Sequence, residues 1–110
     1  MADTYISPKQ SLASAGVLTD LYTVPGATSA VVPTLMCCNQ SSTLNAYIRV
    51  SIAPAGAADA SSQYLYYDVK LSPNESRALT VGMTLATTDV LRVRSDSGQV
   101  SFTAFVLQIT

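Results

Sequence analysis

Residues Leu21 to Cys38, LYTVPGATSAVVPTLMCC, constrain this chain more than any other stretch. Two apolar, β-branched runs flank Pro25-Gly26. Val, Thr and Tyr suit a pleated, half-buried surface. Pro25 presets the φ that the first central position of a turn needs, and Gly26 accepts a positive φ at the second. The stretch therefore reads as a strand, a tight turn and a longer strand. Within the second run, Ala30, Val32, Thr34, Met36 and Cys38 share one face, and Val31, Pro33, Leu35 and Cys37 share the other. Both faces are apolar, which asks for cover on both sides. Pro33 lacks a backbone donor, which asks for a sheet edge or a bulge. Cover from a neighbouring chain or from the N-terminal arm reconciles the two.

The pattern continues downstream. Ala46–Ile52 alternates, with Ile48, Val50 and Ile52 inward. Tyr64–Leu71 alternates again, with Leu65, Tyr67, Val69 and Leu71 on one face and Tyr64, Tyr66, Asp68 and Lys70 on the other. Arg77–Val81, Val90–Ser95 and Val100–Ile109 add three more strands. In the last, Phe105, Leu107 and Ile109 oppose Val100, Phe102, Ala104 and Val106, so its second half is apolar on both faces. Turns are marked at Asn39–Ser42, Ser72–Glu75 and Asp96–Gly98, and residues 53–62 form a long small-residue loop. Residues 82–89 suit a loop or one helical turn. Seven to eight short strands with no long helix predict an all-β fold, an antiparallel β-sandwich of jelly-roll or Ig-like type. Residues 1–12 have few apolar anchors beyond Tyr5 and Ile6 and read as a flexible N-terminal arm. Residues 13–110 read as the single sandwich domain.

Composition narrows the function classes. Of the 110 residues, 48% are hydrophobic and 12% charged, about half the usual charged share. A surface so poor in charge is either rich in hydroxyls or covered by other chains. Lys9, Arg49, Lys70, Arg77, Arg92 and Arg94 are scattered, and the net charge is −1, so no basic footprint for nucleic acid is present. No secretory leader precedes the strands and no run has the length of a membrane span. Cys37 and Cys38 are adjacent and diverge on a strand, which suits free thiols in a reducing cytoplasm. Asn39-Gln40-Ser41 and Asn74-Glu75-Ser76 match the glycosylation pattern by chance in such a compartment.

With no histidine in the chain, Ser-His-Asp and Cys-His arrangements cannot be built. No ligand spacing for a metal, no phosphate loop and no cofactor motif appears, so no enzymatic activity is expected. Tyr64, Tyr66 and Tyr67 form the one constellation with binding character, with Tyr64 and Tyr66 projecting together from the face opposite Leu65. They suit cross-strand pairs first, and contact with a protein or a glycan second. Candidate contacts between chains are Tyr5, Ile6, Met36, Tyr64, Tyr66, Phe105, Leu107 and Ile109.

Several stretches together resemble a group of small structural proteins of tailed-phage virions: LYTVPGATSAVV, the CNQSS turn, YIRVSIAPAGAADASSQYLYYDVKLSPNES, RALTVGMTLATTDVLRVRS and VSFTAFVLQI. The likeness spans about residues 20 to 109 and consists of strands and turns, with no functional residues to carry over. It implies a virion component made in the host cytoplasm. Such a subunit forms a homo-oligomer, a trimer being one arrangement, and contacts capsid, neck or tail proteins. Capsid decoration or fibre attachment is the expected role. A host-surface glycan-binding module or a tail or baseplate adaptor is the alternative.

Overall fold

The computed structural model describes residues 3–12 and 14–110. The protein is all-β, and the described residues form ten strands in two antiparallel sheets. These are β1 Asp3–Tyr5, β2 Lys9–Leu12, β3 Thr19–Thr23, β4 Ser29–Asn39, β5 Ala46–Ala53, β6 Tyr64–Leu71, β7 Ser76–Leu79, β8 Met83–Leu85, β9 Val90–Ser95 and β10 Val100–Ile109. Two single-turn 3-10 segments, Pro54–Gly56 and Ser61–Gln63, lie between β5 and β6. No α-helix occurs among the described residues.

The larger sheet is centred on the long pair β4 and β10, with β1 and β2 end to end along the far side of β10 and β7 and β8 end to end along the far side of β4. The smaller sheet runs β3-β9-β5-β6. Buried side chains from both sheets form one continuous core, in which Phe102, Leu35, Ile48, Leu71 and Leu91 are the largest fully enclosed. Burying each such side chain stabilises the fold by about 1.5–3 kcal/mol.

Leu21–Cys38 is not the hairpin that its composition suggests. β3 and β4 belong to different sheets, so the Pro25-Gly26 segment carries the chain across the core. The positive φ falls on Ala27 (54°), not on Gly26. A second crossing runs alongside: Val24 N–H donates to Asp89 O (3.0 Å), Thr88 N–H to Val24 O (3.1 Å) and the Thr87 hydroxyl to Thr28 O (2.6 Å). The two loops satisfy each other's backbone groups, which a lone crossing could not do. Asp89 strengthens the joint by accepting from Ala55 N–H and Ala86 N–H, both at 2.9 Å.

β4 is a central strand, not an edge, and Pro33 sits at a bulge. Ala30 and Val32 point inward, and so do Leu35, Cys37 and Asn39, so the alternation slips by one residue at Pro33-Thr34. This slip explains why inward residues are of both parities, while the outward set, Val31, Pro33, Met36 and Cys38, is apolar as well. β10 keeps its alternation at this level, and the extra residue of β4 appears as a register shift between Phe105 and Leu107. There too β1 gives way to β2 across Ile6–Pro8, and β7 to β8 across Thr80–Gly82, with Gly82 at a φ of 65°. The whole larger sheet is thus creased along one line through Pro33, where a ladder bond is missing by necessity.

Smaller departures have similar causes. The strand before Pro25-Gly26 is Thr19–Thr23, and a register shift at Leu21 buries Leu21 and Tyr22 together while leaving Asp20 outside. Residues 3–12, expected as a free arm, pair with the outer edge of β10. The 82–89 segment contains β8. In β6, two register shifts re-aim the tyrosines, and Asp68 adopts a φ of 55°.

The Asn39–Ser42 turn is built around a buried amide. Asn39 Nδ2 donates to Leu44 O (2.9 Å), Ser72 O (3.1 Å) and Leu71 O (3.3 Å), and Oδ1 accepts from Ser41 N–H (3.1 Å). One side chain on the larger sheet therefore holds the end of β6 on the smaller one. Its enclosure, at 0% exposure, removes the Asn39 sequence pattern from any modifying enzyme in the folded chain.

Candidate interaction surface

The two outer faces differ in chemistry. On the larger sheet, the outward positions of β4 are Val31, Pro33, Met36 and Cys38, and those of β10 are Ser101, Thr103, Phe105, Leu107 and Ile109. The flanking strands add Tyr5 opposite Leu107, Gln10 opposite Thr103, Leu12 opposite Ser101, Ala78 opposite Met36 and Thr84 opposite Val31. Among these described positions, the one charged side chain in register with the array is Asp3, at its corner opposite Ile109.

Where the crease crosses this face, the chain leaves an apolar cleft of about 280 Å³ lined by Tyr5, Ile6, Pro8, Pro33, Phe105, Val106 and Leu107. Tyr5 is 85% exposed and Phe105 43% exposed, and Val81 is also exposed at the same level. The cleft follows from the bulges. Without regular pairing at Ile6–Pro8 and Pro33, side chains that would lie flat in a continuous sheet stand apart. Cys38 is half-buried on this face. Cys37, one residue away, points into the core, where burial pushes its thiol up to about 12 despite the nearby Arg77.

The outer face of the smaller sheet is polar and internally paired. Arg49 of β5 faces the β6 bulge, so Tyr67 and Asp68 both lie opposite it. Arg49 Nε donates to Asp68 Oδ1 (2.7 Å) and Nη2 to Oδ2 (3.2 Å), and the guanidinium lies 3.9 Å from the Tyr67 ring centre. Tyr67 meets Tyr64 edge to face at 5.1 Å, and the Tyr64 hydroxyl donates to Asp59 (2.9 Å). The hydrogen bond from Arg49 holds the Asp68 carboxyl below the usual aspartate range. Arg92 likewise donates to Asp20 (2.9 Å) and to Ala57 O (2.8 Å), which ties the 53–63 loop to the sheet. A shallow polar cleft of about 410 Å³ is lined by Tyr47, Arg49, Asp68, Arg94 and Asp96.

Of the side chains singled out in the sequence, Tyr5, Ile6, Phe105 and Leu107 converge on the apolar cleft. Ile6 is also partly buried against the core, and its N–H donates to Val106 O (3.3 Å). Met36 and Ile109 share the same outward face but lie away from the cleft. Tyr64 and Tyr66 do not pair. Tyr66 stands opposite Val50 and packs on the core, and its place beside Tyr64 is taken by Tyr67. Period-two reading puts Tyr67 on the face opposite Tyr64, because the bulge that turns it outward lies in the register and not in the residue types. Among the described residues, no group of three or more His, Cys, Asp or Glu side chains could hold a metal ion. No helix among them is long and apolar enough to cross a membrane. Comparison with protein-family models and with curated proteins returned no match.

Proposed function

We propose that this chain is a non-enzymatic structural subunit of a tailed-phage virion, a jelly-roll sandwich that forms a homo-oligomer and decorates or stabilises the capsid or links it to attached fibres. The observation that carries this reading is the uncharged outer face of the larger sheet, with the apolar cleft at its centre. Surfaces that stay wet carry charge, and the smaller sheet's outer face does; an array of Val, Met, Phe, Leu, Ser and Thr suits burial against another protein. The jelly-roll assignment is supported by strand order. Counting β1 with β2 and β7 with β8 as single positions gives eight in chain order, and the two sheets become 1-8-3-6 and 2-7-4-5. An Ig-like sandwich keeps consecutive strands together differently.

Multi-angle light scattering on Leu107→Asp and Met36→Asp variants tests the proposal. Both should keep the native far-ultraviolet spectrum and weaken self-association at least tenfold, the loss of about 1.4 kcal/mol expected for a contact residue at an interface. Unchanged association of two folded variants overturns it. A second reading, glycan recognition, is favoured by the polar cleft between Tyr47 and Arg94, which combines one aromatic ring with guanidinium and carboxylate groups. Loss of host-cell adsorption by Arg94→Ala with association intact selects that reading.

A further inference from the structure

Ten-residue β10 has two sides to satisfy, and its outer one is closed by Asp3–Tyr5 and Lys9–Leu12. These segments hold on mainly through backbone pairing. Every described residue from Asp3 to Leu12 is exposed except Ile6 and Ser11, which are half-buried. Such a grip recognises an edge and the Ile6 socket, with no feature that marks the strand as belonging to the same molecule. The edge itself must be filled, because an open ten-residue edge is a template for pairing with other chains.

Among the described residues of the short connection to β3, Gly16 N–H donates to Ser95 O (2.8 Å) and Val17 N–H to Ser14 O (3.1 Å). With Asp3–Leu12 laid along β10, the six residues 13–18 are left to cross between copies, about 20 Å at ~3.3 Å each. The segment therefore reaches a second copy whose β10, at its Ser101 end, lies within about 20 Å of this copy's β3.

We propose that Asp3–Leu12 of one copy adds to the β10 edge of a second copy in place of that copy's own segment, so that assembled subunits are strapped together by strand exchange. The occupant is this segment because its register on β10, Asp3 with Ile109 through Leu12 with Ser101, is already met within one chain, and a second copy offers the identical edge. The inference rests on the proposed homo-oligomer only for bringing copies side by side.

The test uses two full-length single variants, Thr4→Cys and Gln108→Cys, each also carrying Cys38→Ser. Thr4 and Gln108 are direct partners in the register, and Gln108 points away from the uncharged face, donating to the Tyr22 hydroxyl (2.7 Å). Contact through that face cannot bring the pair together. Refolded together at high concentration and oxidised, the two variants should yield a disulfide-linked heterodimer on non-reducing gels. The double variant should close as well, which establishes that the disulfide geometry is attainable. A double variant that closes only within its own chain, with no heterodimer in the mixture, overturns strand exchange. So does a double variant that fails to close at all, since the register is then wrong. Light scattering of the internally closed double variant separates the two proposals: an oligomer that persists there assembles through the uncharged face without exchanged strands.

Discussion

The two sheets share a core but finish their outer surfaces in opposite ways. The smaller sheet settles its charges internally, with Arg49 against Asp68 and Arg92 against Asp20, and stacks Tyr67 over the guanidinium of Arg49. The larger sheet keeps charge off its face and breaks its ladder along a line through Pro33. A face with its own partners has no need of another molecule, whereas a face without charge or continuous pairing is finished by contact. The contrast teaches that low overall charge in this chain is not spread evenly. It is concentrated as an absence on one side.

The adjacent thiols give the sharpest way to break this contrast. Cys37 belongs to the core and Cys38 to the uncharged face. With its thiol pushed up to about 12, Cys37 is thiolate in roughly one molecule in ten thousand at pH 8, in addition to being enclosed. A small alkylating reagent should therefore add one group to native monomer, at Cys38, and a second only on unfolding, the two rates differing by about a hundredfold or more. Mass spectrometry of intact and digested protein checks this. If the larger sheet's face is the assembly surface, Cys38 loses its reactivity in the oligomer.

Asn39→Ala attacks the point where the sheets are joined. It leaves Ser41 N–H and several enclosed carbonyls without their partner, so chemical denaturation should show a loss of about 3 kcal/mol. An unchanged midpoint would mean that the sheets hold each other without this amide.

On the smaller sheet, a double-mutant cycle of Tyr64→Ala and Tyr67→Ala should give a coupling of about 1 kcal/mol for the edge-to-face pair. Association should be unaffected by either variant. An effect on assembly would shift the interface toward this side of the molecule.

The smallest effect is one of pH. Asp68 has a folded value below its ordinary 3.8, so its pair with Arg49 contributes in full above that value. The contribution is lost as the pH falls through the lower folded value. Glu75 acts in the same direction, held down first by the Ser72 backbone N–H and then by Arg77. Urea midpoints of the wild type should decline more steeply on acidification than those of Asp68→Asn, whose slope retains the Glu75 part. Equal slopes would show that the Arg49 pair is no stronger in the folded chain than in the unfolded one.

Strand positions were largely legible from residue order. Tyr64–Leu71 and Val100–Ile109 were expected at the bounds observed, and Ala46–Ile52 differs by one residue. Alternation survives in these stretches because one side faces a core and the other faces out. What alternation hides is a slip in register. At Pro33 and at Asp68 a single extra residue reverses the inward set, and the composition on either side of the slip is unchanged. Hence Ala30 and Leu35 were placed on opposite faces although both are enclosed, and Tyr66 was placed outside in a position that Tyr67 fills. Pairing between sheets was illegible for another reason. Pro25-Gly26 signals a reversal, and a hairpin and a crossing over the core use the same residue types. Of the candidate contact residues, Phe105 and Leu107 on β10 and Tyr5 and Ile6 came together because they lie at one level of one sheet. That clustering depends on the β1–β10 register, which no local pattern encodes.

The crease has one more consequence, for solubility in a crowded cell. A subunit made in many copies risks endless fibre growth by edge-to-edge strand addition. Here each outer edge of the larger sheet is cut into lengths of three and four residues, β3 has five, and the eight-residue edge β6 is kinked at Asp68. A stray strand that docks on any of them soon runs out of template. The proline that spoils the ladder of β4 thus also limits polymerisation, leaving broad, finite contacts as the stable way for these molecules to meet.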